Sequence, residues 1–443
     1  IRAIYGEDLK KEDLPRLGNA LAKFYENAKN IVIGRDMRIS GADFFDAISA
    51  AFINAGINVI DIGIVDTPSV SFAVGYYNYC GGIQITASHN PAKYNGLKLC
   101  TYNARPINYD NGINKIEYNF KNNIMPRQSE IKGKIIKKDI KNDYINWLRS
   151  QITDIKKLKI VVDAGNGMAG KYIKDLLNVY NIDLIPLYFE LDGSFPNHEA
   201  NPLKYENLKD LQKKVKETNA DIGAAFDGDA DRVCFVDERG EIIQCDLITI
   251  LIAKILLQKN PQQKILYDLR SSKVCFEEIQ KFGGTPIISR VGHAYIKQQL
   301  AEENGIFAGE LSGHYYFRDN YYCDNGLLAF LKVLEFLSNA RQKLSEIIKP
   351  LRKYYASGEI NSKVKNPDKI INLIEEKYKN QALKIFRLDG LSIEFSDYWF
   401  NLRKSNTEPE LRLNLEARNF ETMQKMRDQI LDDIRQFDKN ENK

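Results

Sequence analysis

The sequence predicts an α/β fold: three similar mixed-sheet α/β domains plus a C-terminal α+β domain around a central cleft. Three observations support this expectation. The chain has 443 residues, which at roughly 150 residues per domain corresponds to about three domains. One pattern of apolar runs separated by helix-length segments occurs three times. Beyond about Tyr354 that pattern gives way to short alternating stretches and an amphipathic end.

Each repeat opens on an apolar run that ends in polar loop residues: Ile31-Val32-Ile33-Gly34-Arg35-Asp36, Ile160-Val161-Val162-Asp163-Ala164-Gly165 and Ile265-Leu266-Tyr267-Asp268-Leu269-Arg270. Continuous apolar runs of this kind read as strands buried on both faces. A second run follows a helix-length gap, at residues 57–65, 182–189 and 286–291. The third runs, at 82–85, 221–225 and 305–308, lead straight into loops rich in Ser, Asp, Glu, His and Gly. Parallel neighbours need crossovers of about a dozen residues, so the helix-length gaps predict largely parallel strands. Ligands in such sheets bind beyond the carboxyl ends of the strands. Three loops are therefore expected to share one cleft: Thr86-Ala87-Ser88-His89-Asn90-Pro91, Asp227-Gly228-Asp229-Ala230-Asp231-Arg232 and Gly309-Glu310-Leu311-Ser312-Gly313-His314.

In the last part, Leu391-Ser392-Ile393-Glu394-Phe395 and Leu411-Arg412-Leu413-Asn414-Leu415 alternate as half-exposed strands, and residues 420–437 read as a closing amphipathic helix. The expected domains are 1–137, 138–241, 242–351 and 352–443. Charged or polar stretches near 132–138 and 361–368 are candidate boundaries.

Charge excludes one class of partner. With 63 basic and 59 acidic residues mixed along the chain, the net charge is +4; no electrostatic stripe marks a nucleic-acid surface. The six cysteines form no C-x-x-C pair, which suggests reduced thiols in a cytoplasmic setting rather than a zinc site. The longest apolar stretch, 247–257, falls short of the roughly 18 residues a membrane span needs and carries Lys254. The sequence starts at Ile1 with nothing resembling a signal peptide.

The loops carry the chemistry. Asp227, Asp229 and Asp231 alternate with small residues, a spacing that converges hard oxygen ligands on one hard cation, with magnesium the natural choice. A calcium loop of the EF-hand type is disfavoured, because Arg232 stands where the sixth position needs Gly and Val233-Cys234-Phe235-Val236 continues as a strand. Taken alone, Ser88 reads equally as a helix cap, with Pro91 placed to open a helix. No G-x-S-x-G elbow surrounds it, and a serine beside a cation loop suits phosphoryl transfer. Arg403, Ser405, Asn406 and Thr407 supply a guanidinium fork, hydroxyls and an amide, a set that fits a phosphate; an ordinary self-bonded turn is the alternative. Glu310 and Ser312 are placed to meet neighbouring sugar hydroxyls. His89, His293 and His314 fall in strand-end loops, and His198 lies near Asp192.

Together, in this order, the four loops resemble the α-D-phosphohexomutase superfamily, and the likeness to its bacterial phosphomannomutase/phosphoglucomutase branch covers essentially the whole chain. The resemblance implies interconversion of hexose 1-phosphate and hexose 6-phosphate, with mannose, glucose or both as the sugar, through a phosphoserine enzyme and a hexose 1,6-bisphosphate. It makes Ser88 the phosphoryl carrier and, with Asp227, Asp229 and Asp231, a ligand of Mg²⁺. It makes Lys98 the general acid/base, assisted by Arg2 and His314, whose positive charge is expected to depress the lysine pKa. Arg270, His293, Glu310 and Ser312 would bind the sugar phosphate, and Arg403, Ser405, Asn406 and Thr407 the non-reacting phosphate. Glucose 1,6-bisphosphate or mannose 1,6-bisphosphate is the implied activator. The implied partners are small-molecule sugar phosphates, without nucleic acid or membrane, and a monomer is compatible with this.

Ala3 replaces the Gly of the family's I-R-G stretch, and Arg270 stands where some members have Lys. Leu311 fits the hexose branch better than the glucosamine branch, which usually has Gln there. Phosphoglucosamine mutase and a metal-dependent sugar phosphatase remain the alternative activities, and a non-catalytic sugar-phosphate binder the alternative outside enzymes.

Overall fold

The structure, a computed structural model, describes residues 1–404 and 410–440. Its first three units are built on one topology. The first sheet contains β1 (Arg2–Ile4), β2 (Asn30–Arg35), β3 (Asn58–Ile64), β4 (Gly81–Ile85), β5 (Tyr94–Thr101) and β6 (Ile135–Lys137), in the order β1-β5-β4-β2-β3-β6. The second contains β7 (Leu158–Asp163), β8 (Ile182–Leu187), β9 (Ile222–Phe226), β10 (Val233–Asp237) and β11 (Ile242–Ile243), in the order β11-β10-β9-β7-β8. The third contains β12 (Lys264–Asp268), β13 (Thr285–Ser289), β14 (Phe307–Gly309), β15 (Tyr315–Phe317) and β16 (Cys323–Asp324), in the order β13-β12-β14-β15-β16.

In each sheet the first strand of the repeat is flanked in parallel by the second and third, and the third pairs antiparallel with the strand that follows it. The sequence predicts the three parallel strands. The antiparallel return departs from the expectation of largely parallel sheets, and its cause is loop length: the chemistry-bearing loops are too short for a crossover, so each chain end must double back. For the same reason Pro91 opens no helix, because the chain enters β5 three residues later.

The last unit is an antiparallel sheet of β17 (Tyr355–Lys363), β18 (Lys384–Phe386), β19 (Leu391–Glu394), β20 (Tyr398–Lys404) and β21 (Glu410–Ala417), in the order β17-β21-β20-β19-β18. The helices Pro367–Tyr378 and Phe420–Asn440 accompany it. Residues 361–368, a candidate boundary by composition, begin inside β17, which pairs with β21. Residues 132–138 likewise contain β6, paired in parallel with β3. Their charged side chains are solvated faces of edge strands, which keeps such edges from pairing further.

Packing separates the last unit from the others. One continuous core runs from Val32 and Phe72 through Tyr144, Ile160 and Phe226 to Phe307, Phe330 and Leu351, crossing all three α/β units. The fourth unit closes on a core of its own, with Ile370, Ile374, Leu391, Phe400, Leu413 and Ile430. Polar contacts link it to the third unit: the Lys273 amide donates to Glu416 (2.9 Å) and the Val291 amide to Asp389 (3.2 Å). Among the described residues no helix is long and apolar enough to cross a membrane.

The helix Thr67–Tyr76 joins the first two units. Asp66 caps it by accepting from the Ser69 amide, with Pro68 in its first turn. It is buried along nearly its whole length, because its far side meets the helix Lys141–Ser150: the Phe72 ring lies 5.2 Å from Tyr144 and 5.5 Å from Trp147. Phe72→Ala is expected to cost about 3–5 kcal/mol through the cavity it leaves. A calorimetric scan should show a lowered transition; an unchanged one would mean that this seam contributes little.

Candidate active site

Ser88 lies in the tight connection from β4 to β5, fully buried, with a backbone φ of 54°. A side chain in the left-handed region is strained unless its surroundings hold it there. Thr86 holds one side: its Oγ1 accepts from the Ser88 amide (2.8 Å) and donates to Asp36 (2.6 Å). Arg38 holds the other. Its guanidinium donates to the carbonyls of Ser88 (2.9 Å), Asn90 (2.6 Å), Pro91 (2.9 Å) and Tyr94 (2.9 Å), and to the Asp36 carboxylate (3.2 Å). The serine hydroxyl is then aimed out of the loop: Ser88 Oγ donates to Asp227 Oδ2 at 2.9 Å and lies 3.3 Å from His89 Nδ1.

Asp227, Asp229 and Asp231 occupy the hairpin between β9 and β10, all buried, with carboxylate oxygens within 4.8 Å of one another. Gly228 permits the close approach to Ser88, for a Cβ there would stand 2.6 Å from the Ser88 carbonyl oxygen. Among the described residues Asp229 Oδ1 and Asp231 Oδ1 have no hydrogen-bond partner. Unpartnered buried carboxylate oxygens are costly, and a hard divalent cation is the ligand that such a donor set fits.

The other units supply the countercharge. Lys98, on β5, reaches Asp229 Oδ2 at 2.6 Å and also contacts Asp231. Arg232 Nε lies 3.6 Å from Asp227 and 3.1 Å from His314 Nε2, which is 3.5 Å from Asp231. From the first unit, Thr67 donates its amide to the Asp229 carbonyl (3.0 Å) and its hydroxyl to the Asp229 carboxylate. Burial pushes Asp227 well above the usual carboxylate range, reinforced by Asp231 and Asp229. Asp231 goes the other way, because Lys98 and His314 outweigh its burial. Burial and Arg232 work to lower the His314 pKa, but Asp231 and Glu310 take it up to about 9.

The expectation for Lys98 is not met. Burial works to depress it, but Asp229, Asp231 and Asp227 outweigh burial, so its pKa is raised. The resemblance supplied the cations expected near Lys98, whereas the carboxylates it touches lie 131 and 133 positions away along the chain.

Arg2 donates to Asn90 Oδ1 at 2.9 Å, and with Lys98, His293 and Lys297 lines a cavity of about 250 Å³. His293 begins the helix His293–Glu302, its ring 6.3 Å from that of His314. Glu310, in the third hairpin, turns inward: its oxygens accept from the Gly292 amide (3.1 Å) and the Tyr316 hydroxyl, and His314 Nδ1 lies 3.2 Å away. Ser312 Oγ bonds the same His314 nitrogen at 2.9 Å.

A second cavity, of about 1050 Å³, includes Arg270, Leu311, Ser312 and Glu359 in its lining. Arg270 is held two-pronged by Asp268 (2.7 and 3.2 Å), which also accepts from the Leu311 amide. Arg403, one residue before the end of β20, donates to Glu359 at 2.7 Å. Ser405, Asn406 and Thr407 lie outside the described residues. His198 stands apart from this group, bonded to Asp163 (3.0 Å) and to the Glu199 carbonyl (2.9 Å).

Arg38, Thr67 and Glu359 are the contributors that the sequence reading misses. A signal existed for Arg38, which follows the carboxyl end of β2, where ligand-facing loops are expected. Thr67 and Glu359 carry none, since each is an ordinary polar residue at the end of a helix or within a strand.

Comparison with known proteins agrees with the fold. The family domains described as "Phosphoglucomutase/phosphomannomutase, alpha/beta/alpha domain" I, II and III match residues 1–127, 140–240 and 244–355, and the C-terminal domain of the same family matches 359–433. The phosphomannomutase of Vibrio cholerae is 40% identical over 432 residues, and that of Escherichia coli K12 38% identical over 427, each alignment covering 94% of this chain and 93% of the relative. A crystal structure of a phosphoglucomutase/phosphomannomutase family protein from Burkholderia thailandensis superposes with a TM-score of 0.90 at 31% identity, covering 98% of this chain and 95% of the other.

Because Arg38 is buried and satisfies four carbonyls and a carboxylate at once, Arg38→Ala is expected to destabilise the protein by about 3–5 kcal/mol, the usual cost of leaving a buried charge unpaired. Hydrogen exchange should localise the loss to residues 86–94. Protection there at the original level would remove Arg38 from this role.

Proposed function

Because the chain belongs to the phosphoglucomutase/phosphomannomutase family, and is a phosphohexomutase that transfers phosphate within a hexose phosphate, we propose that Ser88 carries the phosphoryl group and Lys98 moves the proton. The observation that carries this reading is a single convergence. The Ser88 hydroxyl stands 2.9 Å from one of three buried carboxylates, and Lys98 contacts the other two.

The first transfer forms a bond between a sugar hydroxyl oxygen and phosphorus while the bond from phosphorus to Ser88 Oγ breaks. The proton leaving the sugar hydroxyl must reach Ser88 Oγ, and Lys98, in contact with two of the three carboxylates around that serine, is the group we assign to carry it. In the second transfer the other phosphate of the hexose 1,6-bisphosphate passes to Ser88 Oγ, and the serine proton returns to the sugar oxygen. Asp227, Asp229 and Asp231, joined by a phosphoryl oxygen on Ser88, would hold a divalent cation, magnesium in our reading, which when bound neutralises charge on the transferring group. With the carboxylates engaged in this way, their pull on Lys98 would weaken, which suits a group that gives and takes protons.

His314, held cationic between Asp231 and Glu310, keeps positive charge beside the transfer. Arg270, His293, Glu310 and Ser312 would orient the sugar, and Arg403 with Ser405, Asn406 and Thr407 would grip the phosphate that is not reacting. The fourth unit has its own core and meets the third through polar contacts, which supports its movement over the cleft to exclude water. Glucose or mannose 1,6-bisphosphate would restore any enzyme that loses its phosphoryl group. Six free cysteines, with Cys234 and Cys245 approaching to 3.5 Å without a bond, support a cytoplasmic reading. The groups of the cleft come from one chain, which fits a monomer.

Ser88→Ala is expected to lower kcat by about a thousandfold or more while sugar-phosphate binding persists; normal turnover would refute the carrier role. For Lys98→Met the expected loss is about a hundredfold or more in kcat, read in a coupled assay with Mg²⁺ and a trace of glucose 1,6-bisphosphate. An unchanged rate would assign the proton to another group. The same assay with mannose 1-phosphate and glucose 1-phosphate, run on the unsubstituted protein, decides between one substrate and two. Phosphate released as fast as the isomer would point to a hydrolase.

A further inference from the structure

The phosphate-gripping arginine already holds an anion. Glu359 lies on β17 directly after Gly358, whose φ is 70°, and the register of β17 against β21 shifts between Ala356 and Glu359. Such a bulge re-aims the side chain that follows it, and this one faces the large cavity. Its carboxylate accepts from Arg403 Nη2 at 2.7 Å and lies 3.5 Å from Arg412 Nη1. Burial favours the protonated acid, but Arg403, then Arg270 and Arg412, hold Glu359 below the usual carboxylate range.

The pairing is incomplete on the arginine side. Arg403 is 6% exposed, and its buried Nε has no hydrogen-bond partner among the described residues. A guanidinium reaches full strength when both donors of one edge meet two oxygens of a carboxylate or phosphate. Glu359 therefore occupies Arg403 without saturating it, and the orphaned donor favours an incoming tetrahedral anion.

We propose that Glu359 is an internal competitor for the phosphate site, an anion that takes Arg403 when the sugar phosphate lets go. The inference rests on the phosphohexomutase reading and deepens it. A mutase of this kind must release the gripped phosphate of its bisphosphate intermediate, let the sugar turn, and grip the other phosphate. Binding that is equally tight before and during the transfer does nothing for rate, and a grip that cannot be released would trap the intermediate. An acid that re-forms its pair with Arg403 offsets the loss of the phosphate contact and keeps the buried guanidinium from standing unpaired while the sugar turns.

The direction of the effect tests the proposal. In Glu359→Gln of the full chain, glucose 1,6-bisphosphate measured by titration calorimetry is expected to bind about three- to tenfold more tightly, the removal of a competing charge-assisted hydrogen bond. KM should fall and kcat fall with it, because release becomes slower. If Glu359 merely braces Arg403, the substitution weakens binding and raises KM at unchanged kcat. Weaker or unchanged binding therefore overturns the proposal. Should the glutamine variant not fold, Glu359→Asp keeps the charge but withdraws it from Arg403, and is read by the same criterion. Failure of the mutase reading shows separately, as absence of turnover by the unsubstituted protein, whereas the Glu359 comparison is a binding measurement.

Discussion

Three carboxylates removed from water within 4.8 Å of one another cannot all be charged without compensation. The rest of the site follows from that constraint. Lys98 comes from the first unit, Arg232 from the aspartate hairpin itself and His314 from the third unit, and each lies within 4 Å of at least one of the three aspartates. The isolated bridge between Arg232 and His314 ties the second and third hairpins where these charges meet. The cluster is thus the place where charged side chains from three units meet.

The repeated topology makes this convergence possible. Each unit places a short hairpin between its third parallel strand and an antiparallel return, so side chains from three separate parts of the chain arrive at equivalent strand ends. The continuous core through the three units fixes these ends rigidly. The fourth unit, folded around its own core, completes the wall of the larger cavity through Glu359, Trp399 and Asn414. A rigid three-part floor with a separately folded fourth part suits a reaction whose intermediate must be held, released and held again.

Rigidity is concentrated at Ser88. Its left-handed backbone is kept in place by Thr86 on the amide and Arg38 on the carbonyl. Placing the hydroxyl within hydrogen-bonding distance of Asp227 is the use made of that strain. Neither the strain nor the bracing arginine would be visible from the loop residues alone.

The sequence by itself determined the repeat, the position of each strand-end loop, the α+β character of the last unit and the residue types at the centre, because apolar periodicity and the spacing of Asp227, Asp229 and Asp231 are local properties of the chain. It also marked Ser88 and Lys98 as reactive groups through their resemblance to known motifs. Only the tertiary structure decided the antiparallel returns, the coupling of Thr67 to Asp229, the inward turn of Glu310, the occupation of Arg403 by Glu359 and the sign of the field on Lys98. Each of these depends on distances between residues far apart in the chain, 131 positions for Lys98 and Asp229, and Coulomb and hydrogen-bond energies are set by separation in space and by burial, neither of which a linear sequence specifies.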